Sequence, residues 1–302
     1  MKKAIVIIIA LILLTLLPSP ASAQSGIKVW PTKVELTVNK GEQAGKTINV
    51  QNQGSETIRV RAYVMDFSID TDGNFIFSEP GYESYSASKW LSIGKADFEL
   101  APAESQQVEV SILVPSKVEP GGHFTALFFE TVPLSNQDVI SISARIPTLF
   151  YITIPGVTET DIFANAEITS LLLPGIAEKG PVETGVVVRN SGNVHLTVAA
   201  KAYFSTSWGR SELDLGQIIV LPNSSEVIKS DWRESPFFDR IKVSVVIGYF
   251  NQQGELVNKT QKGEFWVVPW KLFIFTGVAL GLIGLGAVLI SKKFRLRVER
   301  KR

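Results

Sequence analysis

Few residues in this chain of 302 could do chemistry. It has no cysteine, which excludes disulfides, thiolate metal sites and cysteine nucleophiles. The two histidines, His123 and His195, stand far apart and lack acidic neighbours in sequence. A multi-histidine metal site is thereby excluded, and each is expected as a turn or surface residue at the start of a strand. Asp66, Asp70, Asp72 and Asn74 cluster around Gly73, an oxygen-rich grouping that could hold Ca²⁺. An EF-hand-type loop counted from Asp70 needs a glutamate where Gly81 stands, and Asp72-Gly73 between Ile69 and Phe75 reads better as a hairpin turn. Tyr82, Tyr85 and Trp90 flank Pro80-Gly81 and are the candidate ligand-binding residues. Such side chains bury large areas, offer a hydrogen bond and stack on sugar rings. Trp90-Leu91-Ser92-Ile93 also reads as a core strand. Glu79 and Glu83 are not distinguishable from a solvated loop. No Gly-x-Ser-x-Gly elbow and no His-Glu-x-x-His pair occurs. The expectation is a non-enzymatic protein with no catalytic residue, no metal and no cofactor.

The elements around these residues read as strands. Lys33–Val38, Thr57–Val64 and Gln107–Val114 alternate apolar with polar side chains, the period of a half-buried strand, and no sustained helical period occurs between residues 24 and 265. Hydrophobic residues at 45% and charged residues at 20% suit a folded chain. An internal repeat sets the domain count. Ile48–Gln51 leads into Asn52-Gln53-Gly54 and a strand ending Ala62-Tyr63; Val186–Arg189 leads into Asn190-Ser191-Gly192 and a strand ending Ala202-Tyr203. Both Asn-x-Gly units read as turns in which Asn and Gly tolerate positive φ. Each half later carries Leu100-Ala101-Pro102 or Leu221-Pro222 before another strand. The larger spacing in the first half points to an insertion over Asp66–Tyr85. The fold class is an all-β ectodomain of two tandem Ig-like β-sandwiches, residues 24–156 (membrane-distal) and 157–268 (membrane-proximal), plus an N-terminal signal peptide and one C-terminal transmembrane helix.

The ends place the protein. Lys2 and Lys3, an apolar run Ala4–Leu17, Pro18 and Pro20, then Ala21-Ser22-Ala23 make a signal peptide over residues 1–23. Leu272–Ile290 is free of charge, Trp266 and Trp270 precede it, and Lys292, Lys293 and further basic residues follow. This is a span at 271–291 with membrane-interface tryptophans and a basic cytoplasmic tail at 292–302, the ectodomain standing outside the cell membrane. Gly277, Gly281 and Gly284 share one helical face, a spacing that permits homodimerisation. Residues 24–270 hold 20 basic and 28 acidic side chains, near −8 in net charge, so nucleic acid is not expected as a partner. Asn223-Ser224-Ser225 and Asn258-Lys259-Thr260 are glycosylation sequons.

Several segments together resemble a known family. They are Asn52-Gln53-Gly54, Val64–Asn74, Leu100–Gln106, Val114-Pro115 and Glu119–Phe124, with Val188–His195 in the second half. The chain resembles bacterial surface proteins of the DUF916 type, the WxL-interacting proteins, which are distantly similar to pilus chaperones. The resemblance implies Ig-like domains outside the membrane. For a subset of the family it implies peptidoglycan binding. The partners expected are the lipid bilayer and either peptidoglycan or another surface polymer or a surface protein, bound through the distal domain. The alternative is a membrane-tethered assembly chaperone that accepts a strand at an exposed sheet edge.

Overall fold

The computed structural model describes residues 26–70, 73–132, 143–158 and 161–293. The signal-peptide segment and the tail beyond residue 293 lie outside the described residues, as does Asp72. The chain divides into two compact units: residues up to Pro155 apart from Ser68–Ile76 and Pro120–Gly122, and Gly156 onward together with those two segments.

The first unit is built on β1 (Ile27–Trp30), β2 (Lys33–Thr37), β3 (Gln43–Asn52), β4 (Ile58–Ile69), β5 (Phe75–Ser78), β6 (Leu91–Ile93), β7 (Asp97–Leu100), β8 (Ser105–Leu113), β9 (Gly121–Val132) and β10 (Arg145–Ile154), of which the end of β4 and the first two residues of β5 and β9 fall in the segments assigned to the second unit. One sheet runs β1-β3-β8-β6; the other runs β2-β10-β9-β4-β5, with β7 also on β4. Alternation explains the layering. Val108, Val110 and Ile112 point inward from β8, while Gln107 and Glu109 stay exposed. They meet Ile48, Val50, Val60, Leu127, Phe129, Phe150 and Ile152 in the core. Each fully buried aliphatic side chain of this kind contributes about 1.5–3 kcal/mol. Pro31, with no amide hydrogen, separates β1 from β2, and the two strands join different sheets.

The second unit contains β11 (Ala166–Leu172), β12 (Ile176–Ala177), β13 (Val182–Asn190), β14 (Leu196–Ser205), β15 (Arg210–Val220), β16 (Ser225–Trp232), β17 (Asp239–Phe250) and β18 (Leu256–Val267), then α1 (Trp270–Lys293). The sheets run β11-β13-β16 and β12-β18-β17-β14-β15. Trp232 lies flat on Phe204 in the core, ring centres 4.1 Å apart, and its indole N–H donates to Ser211 Oγ at 3.0 Å. Residues Trp270–Ile290 of α1 form a helix long and apolar enough to cross a membrane.

The repeat is structural, though its chemistry differs from the expected turn. Asn52 and Asn190 are fully buried at the ends of β3 and β13. The Asn52 amide donates to the carbonyls of Glu56, Leu100 and Ala101 and accepts from Gly54 N–H. Asn190 donates to Val194 and Val220 and accepts from Gly192 N–H. The non-glycine residues with positive φ are Ala103 and Asn223, and neither Gly54 nor Gly192 is among the positive-φ glycines. Asparagine is required for its amide, which satisfies buried carbonyls that would otherwise be left unpaired. Gly192 is required for space: a Cβ there would meet the Phe163 carbonyl oxygen at 2.4 Å.

Candidate functional site

The segment with the candidate aromatics is stitched to the first sandwich. Asp66, fully buried on β4, accepts hydrogen bonds from Gly81 N–H and Glu83 N–H, both 2.9 Å, and from the Ser86 hydroxyl at 2.5 Å. Phe124 N–H donates to the Tyr85 carbonyl, and Ala87 N–H donates to the Phe124 carbonyl. Asp66 is thus committed to the loop. Asp70 joins the neighbouring hairpin, accepting from Asn74 N–H at 2.9 Å, and Gly73 there takes φ +83°. Among the described residues no group of three or more His, Asp or Glu side chains could hold a metal.

This bracing divides the three aromatics. Tyr82 is 77% exposed. Tyr85 packs edge-on to Phe124 at 5.3 Å, and burial, with help from Glu83, pushes its hydroxyl up to about 12. Trp90 packs against the core and lies 4.7 Å from the His123 ring. Tyr85 and Trp90 therefore serve packing, and Tyr82 alone is presented to solvent. His123 corrects the expectation of a turn or surface residue. It is buried within β9, its Nε2 is 3.1 Å from the Glu119 carbonyl, and burial holds its pKa below the usual histidine value. His195 stands just before β14 in the other unit.

Sequence reasoning did not identify a second aromatic cluster. On the sheet face opposite the core, Phe67, Phe124 and Tyr151 pack at 5.6–6.2 Å, and Phe128 stacks on Tyr63. The Arg145 guanidinium lies 3.8 Å from the Phe128 ring centre, a cation–π contact at the exposed end of the cluster. The signal was present in β9, whose unbroken run His123–Phe129 marks a strand buried on both faces.

The sheet edges are the other candidate surface. In the first unit β2 runs parallel to β10 and covers Leu149–Thr153. Leu149 N–H donates to the Thr32 carbonyl, so Pro147, two residues earlier, faces the same side without an N–H. That side of β10 is covered, and β2 becomes the edge strand of the sheet. In the second unit β12 covers only Trp266 and Val267 of β18. Trp266 N–H donates to Gly175 on the outer side, so alternation turns the backbone groups of Asn258, Thr260, Lys262 and Glu264 outward too. Among the described residues none of these backbone groups has a partner. Core-facing positions along this stretch are Lys259, Gln261 and Gly263. Lys259 Nζ donates to Asn165 Oδ1 at 2.6 Å, and Leu171 and Leu173 fill the space beside Gly263. An inward lysine protects an open edge from indiscriminate pairing.

At the C-terminal end Trp266 and Trp270 are 43% and 45% exposed. Gly277, Gly281 and Gly284 lie on α1 with open space where a Cβ would stand.

No family model matches the chain, and no curated protein matches it in sequence. The DUF916 resemblance therefore rests on the motifs alone. Among solved structures the chain is similar to pilus chaperones. One is the class 5 fimbriae chaperone CfaA, at 15% identity and TM-score 0.40, covering 81% of this chain and all of that one. Another is the Pseudomonas aeruginosa CupB2 chaperone, at 14% and 0.41, covering 78% and 99%. A third is a chain of the Salmonella enterica SafA pilin–SafB chaperone complex, at 13% and 0.42, covering 82% and 98%.

Proposed function

We propose that the protein is a non-enzymatic, single-pass membrane protein that holds an extended segment of a protein partner by strand addition along β18. The observation carrying this reading is the row of outward backbone groups at Asn258, Thr260, Lys262 and Glu264, which β12 leaves uncovered. An incoming strand would satisfy them from the side opposite β17, with main-chain bonds giving affinity and alternate side chains giving selectivity. Exposed Lys262 favours a strand carrying acidic residues, and the inward Lys259 opposes pairing of β18 with another β18. α1 spans the membrane, and both sandwiches stand outside it.

The test uses Thr260→Pro. The Thr260 amide faces away from β17, so proline removes an outward donor without breaking the existing ladder. Binding of a short extended peptide that alternates glutamate with threonine should saturate with the wild-type chain and fall at least tenfold with the variant. Equal binding by both would remove strand addition along β18.

A second reading rests on the braced loop. Three hydrogen bonds to Asp66 hold Tyr82 exposed on a fixed backbone, a pre-organised contact of the kind that binds with little ordering cost. It supports recognition of peptidoglycan or another surface polymer by the distal sandwich. Co-sedimentation with cell-wall sacculi, lost in Tyr82→Ala and kept in Thr260→Pro, would favour this reading over the first.

A further inference from the structure

Exposed aromatic side chains gather where β17 and β18 meet α1. β18 ends at Val267, only Val268 and Pro269 separate it from α1, and Asp239 at the start of β17 stands opposite Val267. The β14–β15 hairpin tip reaches the same end. Ser207 N–H and its hydroxyl donate to the Asp239 carboxylate at 2.6 and 2.8 Å. That contact fixes Trp208, which is 87% exposed. Phe237 and Phe238 immediately precede Asp239 and are about half exposed, and Phe238 packs 6.1 Å from Trp266. The start of α1 is itself tied down: Val268 N–H donates to the Ala177 carbonyl, and Lys271 pairs with Glu178.

We infer that Trp208, Phe237 and Phe238 seat in the headgroup region of the bilayer that α1 enters, docking the proximal sandwich on the membrane surface. The inference rests on the reading that α1 spans. Chain continuity identifies the occupant. Wherever Trp270 enters a bilayer, the end of β18 lies within a few residues of the lipid surface. The 206–209 tip and Phe237–Phe238 are bound to that same end. Indole rings favour the lipid–water interface, and apolar side chains beside them add buried area at the headgroup–acyl boundary. The opposite tip of the β17–β18 hairpin, Asn251–Glu255, is polar, although Phe250 and Leu256 beside it are also exposed; what sets the first group apart is its attachment to the end that α1 leaves. Docking would add to the Val268–Ala177 and Lys271–Glu178 contacts in holding the sandwich in one orientation at the membrane.

The absence of native cysteine makes single-site labelling direct. Full-length chain carrying one fluorophore at Phe237→Cys, Phe250→Cys or Leu282→Cys is reconstituted into phosphatidylcholine vesicles, with or without spin-labelled lipid as quencher. Phe250 is an exposed aromatic at the far end of β17 and serves as the matched control. The inference expects strong quenching at Leu282, quenching at Phe237 several-fold above that at Phe250, and partial loss of the Phe237 signal in Trp208→Ser. Quenching at Leu282 with Phe237 no higher than Phe250 would overturn docking while leaving the span intact. No quenching at Leu282 would overturn the span, and docking with it.

Discussion

β9 and β17 occupy equivalent places in two sandwiches built on the same asparagine clamp, yet they are buried differently. Tyr63 on β4 stands opposite Phe128 of β9, and Tyr203 on β14 stands opposite Ser244 of β17. Around Phe128 the outer face of the first sandwich is a packed aromatic cluster. Around Ser244 the outer face carries ion pairs, Lys201–Glu212 and Arg240–Glu264. The same topology therefore stabilises one unit from both faces of its central sheet and the other from one face. The second unit leaves β18 uncovered before Trp266 and carries exposed rings at the α1 end. The difference teaches that a shared framework assigns the clamp and the core, while faces and edges are left to separate uses.

The largest effect expected on this contrast comes from Phe124→Ala, which removes a fully buried ring from the second cluster. It should cost about 3–5 kcal/mol in denaturant unfolding. Arg240→Ala, at the matching position four residues before Ser244, should leave stability nearly unchanged, because exposed ion pairs contribute little. Comparable losses at both positions would break the comparison.

Next come the clamps. Asn52→Ala and Asn190→Ala each leave buried carbonyls without donors, and each should cost about 2–4 kcal/mol. Because the clamp is the shared part, the two losses should match, and hydrogen exchange should show each confined to its own unit.

The units should also answer pH in opposite directions. Burial depresses the His123 pKa, so the unfolded chain takes up that proton first. The first unit keeps its full stability above the unfolded histidine value and loses it as pH falls. Burial raises the Glu226 carboxyl on β16 to about 7, above its unfolded value. Its contribution is full below the unfolded value and is lost as pH rises through 7. Amide exchange followed between pH 5 and 8 should show the first unit tightening and the second loosening. His123→Gln should flatten the first trend alone. The smallest effect on stability is expected from Thr260→Pro, below about 0.5 kcal/mol, because it removes no existing ladder bond.

Strand alternation and the repeated Asn were legible in the sequence because half-buried strands advertise their period and a clamp recurs with its partners. The aromatic cluster was hidden, since a strand buried on both faces has no period. Tyr85 and Trp90 were ambiguous because aromatic residues suit a core and a recognition loop equally, and only the Asp66 hydrogen bonds decide which ring faces outward. The open edge could not be read at all. Leu256–Val267 looks like any polar surface strand, and its exposure depends on β12 ending after two residues.

The most direct test of strand addition is amide exchange along β18 in the full-length chain. The amides of Asn258, Thr260, Lys262 and Glu264 should exchange quickly while those of Val257, Lys259, Gln261, Gly263 and Phe265, bonded to β17, stay protected. Adding the glutamate–threonine peptide should then protect the outward set. Slow exchange of that set in the chain alone would show an edge already closed and contradict the proposal.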